Sequence, residues 1–498
     1  MATVRLTMAQ ALTRWMTAQS IEQLDGIIEP AFAGVWGIFG HGNVAGLGEA
    51  LYGVRDELPT FRGHNEQSMA HIAIAYAKQK QRRRMMAVTT SIGPGATNLA
   101  TAAALAHVNR LPVLLLPGDV FATRAPDPVL QQVESFADGT LSANDCLRPI
   151  SRYFDRITRP EQLLQALPKA MSVLTDPADC GPVTLGLCQD VQAEAWDYPT
   201  SFLAPRIWQL RRIAPDDAEL ARAVACLKAA KRPLIIAGGG VRYSGAASAL
   251  ADFAAGAGIP VAATQAGKST LVEAHEMYVG SLGVTGASAA NSLAASADVV
   301  LAVGSRLQDF TTGSNSLIGG QVIALNIQPH DLVKHRAMPL MADALRGIEA
   351  LASAMAGYAT KGSYRGEISE KWEGWMKDVG AVCSAPVDSN ALPSDSQVIG
   401  AVNRSCPPET IVVGAAGSMP GELHKLWQVG AVDGYHMEYG FSCMGYEVAA
   451  GIGVDMAAPG RPNVVFAGDG SYLMLNAELA TAVMMGTRMT LIITDNRG

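Results

Sequence analysis

The stretch NVVFAGDGSYLMLNAELATAVMMGTRMTLIITDNRG, residues 463–498, decides the fold. An apolar run, Val464 to Ala467, meets the Gly-rich turn Gly468-Asp469-Gly470-Ser471; a segment of helical period follows, then a second apolar run, Thr490 to Thr494, and a polar turn. This pattern predicts one parallel βαβ crossover. Asp469 falls just past the carboxyl end of the first strand and Asn496, 27 residues later, just past the second. Neighbouring strands would therefore aim both oxygen donors into one crevice, and hard oxygen donors suit Mg²⁺. The turn also runs into a helix N-terminus, whose free backbone N–H groups and dipole favour a phosphate group. A metal-bridged diphosphate satisfies both features. An isolated GDGS is ordinarily a tight turn and cap; the pairing with Asn496 makes it a candidate site.

Outward from this unit, the same alternation recurs. Between Val35 and about Asp190 short apolar runs, among them 35–39, 86–88 and 112–116, alternate with helix-period segments, which reads as a parallel sheet covered by helices. A polar, Pro-containing stretch from Trp196 to Pro215 reads as a linker. A second α/β block follows, with strands expected at 234–237, 299–303 and 322–326, and the segment 363–393 reads as mixed and irregular. A third block begins near Ser396, with strands expected at 411–413, 464–467 and 490–494. The last residues are the turn after a strand with no helix following, so the sequence predicts a third domain whose C-terminal part is absent.

Composition narrows the function classes. The 498 residues suit two or three domains, and 49% hydrophobic with 17% charged residues suits a globular α/β protein. A net charge of -7 gives no electrostatic footprint for nucleic acid. The one basic run, Lys78 to Arg84, ends an apolar helical pattern and reads as a solvated helix end. Seven scattered cysteines without a CxxC pair argue against a disulfide framework or a zinc site and for a reducing compartment. No apolar run is long enough to span a bilayer and the N-terminus lacks a signal-peptide core, so the expectation is a cytoplasmic protein with no membrane partner.

A second constellation lies in FRGHNEQSMAHIAIAYAKQK, residues 61–80, where Met69, Ile72, Ala73, Tyr76 and Ala77 follow helical spacing and Glu66 sits near the helix start. Alone, such a Glu is a dipole partner. Together, GDG followed by Asn496 and a Glu in an Asn-Glu-Gln context resemble the thiamine-diphosphate-dependent enzymes, and the signals occur in that family's order over nearly the whole chain. The resemblance implies an α/β fold of three domains: a pyrimidine-binding type over 1–195, a central Rossmann-like domain over 205–360, and an incomplete diphosphate-binding type over 390–498. It implies thiamine diphosphate and Mg²⁺ as cofactors, with Asp469, Asn496 and the backbone carbonyl of Gly498 as metal ligands. Glu66 would hydrogen-bond the aminopyrimidine ring, a task for a partly buried carboxylate whose pKa is raised by desolvation. Met444, in EYGFSCMGYEVAAGIG, matches the bulky residue that bends the cofactor, although a Met among small residues is ordinarily core filler. Gly468, Gly470 and Ser471 of the turn, with Gly417 and Ser418 after the strand at 411–413, would face the diphosphate. Residues 90–98 resemble the family's loop near the pyrimidine.

Within that family FGHGN (39–43), NEQSMAH (65–71), TRAPDPVLQQ (123–132), SRYFDRITRPEQL (151–163) and EYGFSCMGYE (438–447) resemble the branch that hydrolyses a cyclic trihydroxy dione in myo-inositol catabolism. This implies cleavage of the ring bond between two adjacent carbonyls to give 5-deoxyglucuronate; by loop position His41, after the first strand, and, second to it, His64, just before Glu66, are the candidate proton-transfer groups. Either could equally be a structural histidine. Ala237-Gly238-Gly239-Gly240 follows a strand in the central block, but a lone Gly triplet is a weak signal and no acidic residue ends a strand at the expected ribose distance, so a central domain without FAD is expected. The resemblance further implies a homodimer or dimer of dimers, with Glu66 and Asp469 of different subunits serving one cofactor. An acetohydroxyacid-synthase-like carboligase or lyase, and an inactive cofactor-binding partner subunit, stay open as alternatives. A nicotinamide-dependent dehydrogenase would need a dinucleotide fingerprint that the chain lacks.

Overall fold

The computed structural model of the chain describes residues 2–387 and 391–496. The first sheet contains β1 (Phe32–Gly37) and β2 (Thr60–Arg62), the helix α1 (Glu66–Gln79), then β3 (Met85–Thr90), β4 (Val113–Asp119), β5 (Tyr153–Ile157) and β6 (Pro182–Cys188). Its order is β2-β1-β3-β4-β6-β5 and every pair is parallel. β3, β4 and β6 are buried along their whole length, as strands covered on both faces must be. The stretch read as a linker instead opens with short paired strands. Ala195–Pro199 runs antiparallel to Thr3–Thr7, and Arg206–Trp208 runs parallel to Gln19–Glu22. Trp196 and Trp208, apolar residues in a polar stretch, pack against the core of this sheet.

The central sheet is built from β7 (Pro233–Ala237), β8 (Val261–Ala263), β9 (Tyr278–Ser281), β10 (Val299–Val303), β11 (Gln321–Asn326) and β12 (Met338–Met341). All pairs are parallel, in the order β9-β8-β7-β10-β11-β12, which is the strand order of dinucleotide-binding folds. Its Gly triplet has a packing reason: a Cβ on Gly238 would stand 2.4 Å from the Gly304 carbonyl oxygen, and one on Gly240 2.7 Å from the Gly304 Cα. The segment 363–393, expected to be irregular, opens with the longest helix among the described residues, α2 (Gly362–Cys383). Tyr364, Ile368, Val379 and Cys383 are buried and Trp372 and Trp375 partly so, a narrow stripe of spacing four, four, three, four, four. Charged residues fill the rest of the helix surface and mask the stripe.

The third sheet follows as β13 (Ile411–Gly414), α3 (Met419–Leu426), β14 (Tyr435–Met437), α4 (Tyr446–Ala457), β15 (Asn463–Gly468), α5 (Glu478–Met485) and β16 (Thr490–Thr494). It is parallel throughout, ordered β14-β13-β15-β16, so the expected crossover from β15 to β16 is present in register, Val464 opposite Thr490 through Gly468 opposite Thr494.

The residues divide into two compact units. One comprises Met1–Arg211, Gly440–Gly460 and Gly470–Met489, the other Arg212–Tyr439, Arg461–Asp469 and Thr490–Gly498. In the first, α1 is buried from Ser68 to Gln79 because it lies between β3 and α4. Burial of Met69, Ile72, Ile74 and Tyr76, each at most 3% exposed, contributes roughly 1.5–3 kcal/mol per side chain. The helices touch closely at Gly453, where a Cβ would stand 2.4 Å from the Ile72 carbonyl oxygen and 2.9 Å from the Ala75 Cβ.

Candidate functional site

Within the first unit, Asn65 caps α1: its Oδ1 accepts the Ser68 backbone N–H at 3.0 Å. The cap fixes Glu66 as the first helical residue, half-buried, with its Oε2 accepting from Asn98 Nδ2 at 3.0 Å. Residues 90–98 thus reach Glu66 through Asn98. The same loop meets the turn after β1, where the Ile92 N–H donates to the His41 carbonyl at 3.0 Å. Asn43 holds that turn, accepting from the Gly40 N–H at 2.9 Å and donating to the Ile38 carbonyl and Thr89 Oγ1 at 3.2 Å each. His41 Nε2 is buried and has no hydrogen-bond partner among the described residues.

Met444 is 39% exposed, so it is not core filler, and its Cε lies 3.8 Å from the position a Cβ on Gly470 would take. Its loop is tied by buried groups to Ser471, in the short helix Asp469–Met474: Ser471 Oγ accepts the Gly445 N–H at 2.8 Å and faces both carboxylate oxygens of Glu447, at 2.8 and 2.7 Å. Ser471 and Glu447 are 2% and 1% exposed, and a carboxylate buried that deeply needs such donors. Glu447 is a residue that sequence reasoning passed over. In EYGFSCMGYEVAAGIG an acidic residue just inside a helix reads as a dipole partner, and nothing local signals its distant Ser.

A third grouping precedes Glu66. Glu478, fully buried at the start of α5, accepts the backbone N–H groups of His64 and Asn65 at 3.0 Å each through one oxygen. Its other oxygen accepts the Thr481 hydroxyl, and Thr481 Oγ1 lies 2.7 Å from His64 Nδ1. Glu478 and Thr481 were likewise not singled out in the sequence, where they read as an ordinary first turn.

In the second unit the carboxyl ends of β13, β15 and β16 lie side by side. They deliver Gly417 and Ser418, Gly468 and Asp469, and Asn496 to one edge of the sheet. Thr494 Oγ1, next to that edge, donates to the Ala467 carbonyl across the pair at 3.4 Å. Among the described residues, chain neighbours aside, no atom stands within 4 Å of where a Cβ on Gly417 or Gly468 would be, which leaves space beside the backbone there. Asp469 is half-buried, and Gly417, Ser418 and Asn496 are exposed. The described residues contain no cluster of three or more His, Cys, Asp or Glu side chains that could hold a metal. The expected donor set is of another kind, one carboxylate, one amide and one carbonyl, and the carbonyl, on Gly498, lies outside the described residues. The carboxylate of Asp469, the amide of Asn496 and the open glycines are chemically suited to a metal-bound diphosphate.

Residues 31–138 match the thiamine pyrophosphate enzyme N-terminal TPP binding domain, 220–351 the central domain, and 415–498 the C-terminal TPP binding domain. The chain belongs to the thiamine pyrophosphate enzymes. It is similar over its whole length to the 3D-(3,5/4)-trihydroxycyclohexane-1,2-dione hydrolase of Geobacillus thermodenitrificans, 45% identical over 520 residues that make up 81% of that protein. Comparable relatives are the hydrolase 1 of the same name from Bacillus cereus, 44% identical, and that of Bacillus anthracis, 43% identical, each with 81% of its length covered. No helix among the described residues is long and apolar enough to cross a membrane.

Proposed function

We propose that this chain hydrolyses 3D-(3,5/4)-trihydroxycyclohexane-1,2-dione, breaking the ring bond between its two adjacent carbonyls to give 5-deoxy-D-glucuronate in cytoplasmic myo-inositol degradation. The observation that carries the reading is similarity over this whole chain to hydrolases of that name, on a chain that holds Glu66 and Asn98 together and pairs Gly468, just before Asp469, with Thr494, two residues before Asn496. When bound, thiamine diphosphate supplies an electron sink for the bond pair released by carbon–carbon cleavage. Asp469, Asn496 and the Gly498 carbonyl would hold Mg²⁺ on the diphosphate, with Gly417, Ser418, Gly468, Gly470 and Ser471 lining it. Glu66, kept in place by Asn98, would hydrogen-bond the aminopyrimidine, and Met444 would support the cofactor from beneath. His41, whose Nε2 has no partner among the described residues, would take a hydrogen bond with a substrate oxygen. The working unit is a homodimer or dimer of dimers, in which Glu66 of one protomer and Asp469 of its partner serve one cofactor.

The test supplies the chain, with thiamine diphosphate and Mg²⁺, with the cyclic dione and separately with pyruvate. Consumption of the dione without acetolactate from pyruvate is expected. Acetolactate formation with the dione untouched would assign the chain to the carboligases instead.

A further inference from the structure

The hydrogen bonds before α1 give His64 a defined chemical state. As a carboxylate, Glu478 accepts at both oxygens, from the His64 and Asn65 N–H groups at one and from the Thr481 hydroxyl at the other. The buried charge is favoured by its place in the first turn of α5 and by the two backbone N–H groups that meet it. Thr481 has one hydroxyl proton, and it points at Glu478. Its oxygen can then only accept from His64 Nδ1, 2.7 Å away. The neutral imidazole is thereby held as the Nδ1–H tautomer, with the lone pair on Nε2. Glu478 and Thr481 are fully buried, whereas His64 is exposed two residues before Glu66. A buried carboxylate, a hydroxyl and an outward imidazole base in series are the parts of an oriented general base.

We propose that His64 is the general base that activates water in the ring-opening reaction, with Glu478 and Thr481 as its positioning residues. The proposal rests on the function proposed above and assigns the proton transfer that hydrolysis requires. As the water oxygen forms its bond to one substrate carbonyl carbon, the carbonyl π pair moves onto the carbonyl oxygen and one water proton moves to His64 Nε2. The imidazolium so formed donates from Nδ1 to Thr481, whose hydroxyl stays on Glu478. The oxygen's pair then re-forms the carbonyl as the carbon–carbon bond breaks, the pair of that bond goes to the neighbouring carbon, and His64 returns the proton there. The second water proton leaves with the new carboxylic acid, which ionises. No oxidant or reductant is needed.

Two measurements test this. Nitrogen-15 NMR of histidine-labelled protein, without cofactor or substrate and assigned with H64A, should show His64 as the neutral Nδ1–H tautomer. T481V, which removes the hydroxyl at nearly constant shape, should abolish that preference, and T481S should keep it. An Nε2–H tautomer in the wild-type protein would overturn the relay. In turnover of the dione, H64A should lose roughly two to four orders of magnitude in kcat and regain part of it with added imidazole. T481V should lower kcat with KM unchanged, and T481S should restore it. Full turnover by H64A would overturn the role of His64 while leaving the dione reading intact. If the wild-type protein left the dione untouched, the function would fall and the catalytic role with it, whatever the tautomer.

Discussion

Glu66 and Asp469 are innocuous residues by local criteria, a first-turn acid and a turn acid. Glu66 was legible as a residue near a helix start from the helical spacing of residues 69–77, and the structure adds the Asn65 cap and the Asn98 hydrogen bond that hold it. Replacing Glu66 by Gln preserves shape and removes the acid. Turnover should fall by roughly two to four orders of magnitude, with the circular dichroism spectrum and melting temperature unchanged. Replacing Asp469 by Ala should instead weaken thiamine diphosphate and Mg²⁺ binding, read by calorimetry, and unchanged affinity would remove Asp469 from the metal site. Glu447, Glu478 and Thr481 were illegible for a physical reason. Each is an ordinary helix-start residue whose partner, Ser471 or His64, is fixed by tertiary packing that local pattern does not encode.

At the scale of the element, α1 and α4 are read correctly only in part. The helical period of residues 69–77 is plain, but the helix is buried all round, so its period alone does not say what covers it. Gly453 marks the crossing with α4, and His71 lies within it, its ring 5.3 Å from that of Tyr446, edge to face. Both ring nitrogens of His71 are buried without a partner among the described residues, and burial depresses its pKa to about 3. Above pH 6.5 the imidazole is neutral both folded and unfolded. Below that, the unfolded chain binds a proton that the folded one excludes, so stability is lost as pH falls from 6.5 towards 3. The slope from this group is about 1.4 kcal/mol per pH unit. H71L should remove that component, measured as the difference between urea unfolding of the two proteins at neutral and mildly acidic pH; identical pH dependence would place the acid sensitivity elsewhere. The helix α2 is the counterexample in reading: its apolar stripe obeys helical spacing, but six apolar contacts diluted among charged residues and glycines left the pattern too thin to stand out.

For the whole molecule, most strands and the order of the blocks were legible because parallel sheets buried on both faces write continuous apolar runs. How those runs join into sheets was not, since strand order depends on crossover connections rather than on composition. The assembly makes its own prediction. If each cofactor lies between Glu66 of one protomer and Asp469 of its partner, E66Q and D469A chains are each inactive alone but complement each other. Re-associating equal amounts should restore about a quarter of wild-type activity, because half of the dimers are mixed and each mixed dimer has one intact site. No recovery on mixing would place both residues of a site on one chain. The central claim, hydrolytic opening of a cyclic dione, is tested most directly by carbon-13 NMR of the product formed from labelled 3D-(3,5/4)-trihydroxycyclohexane-1,2-dione with thiamine diphosphate and Mg²⁺. The expected spectrum has one carboxylate and one aldehyde carbon, derived from the two former carbonyl neighbours of a single opened chain, and depends on both cofactors. An intact ring, or a product with a new carbon–carbon bond, would contradict it.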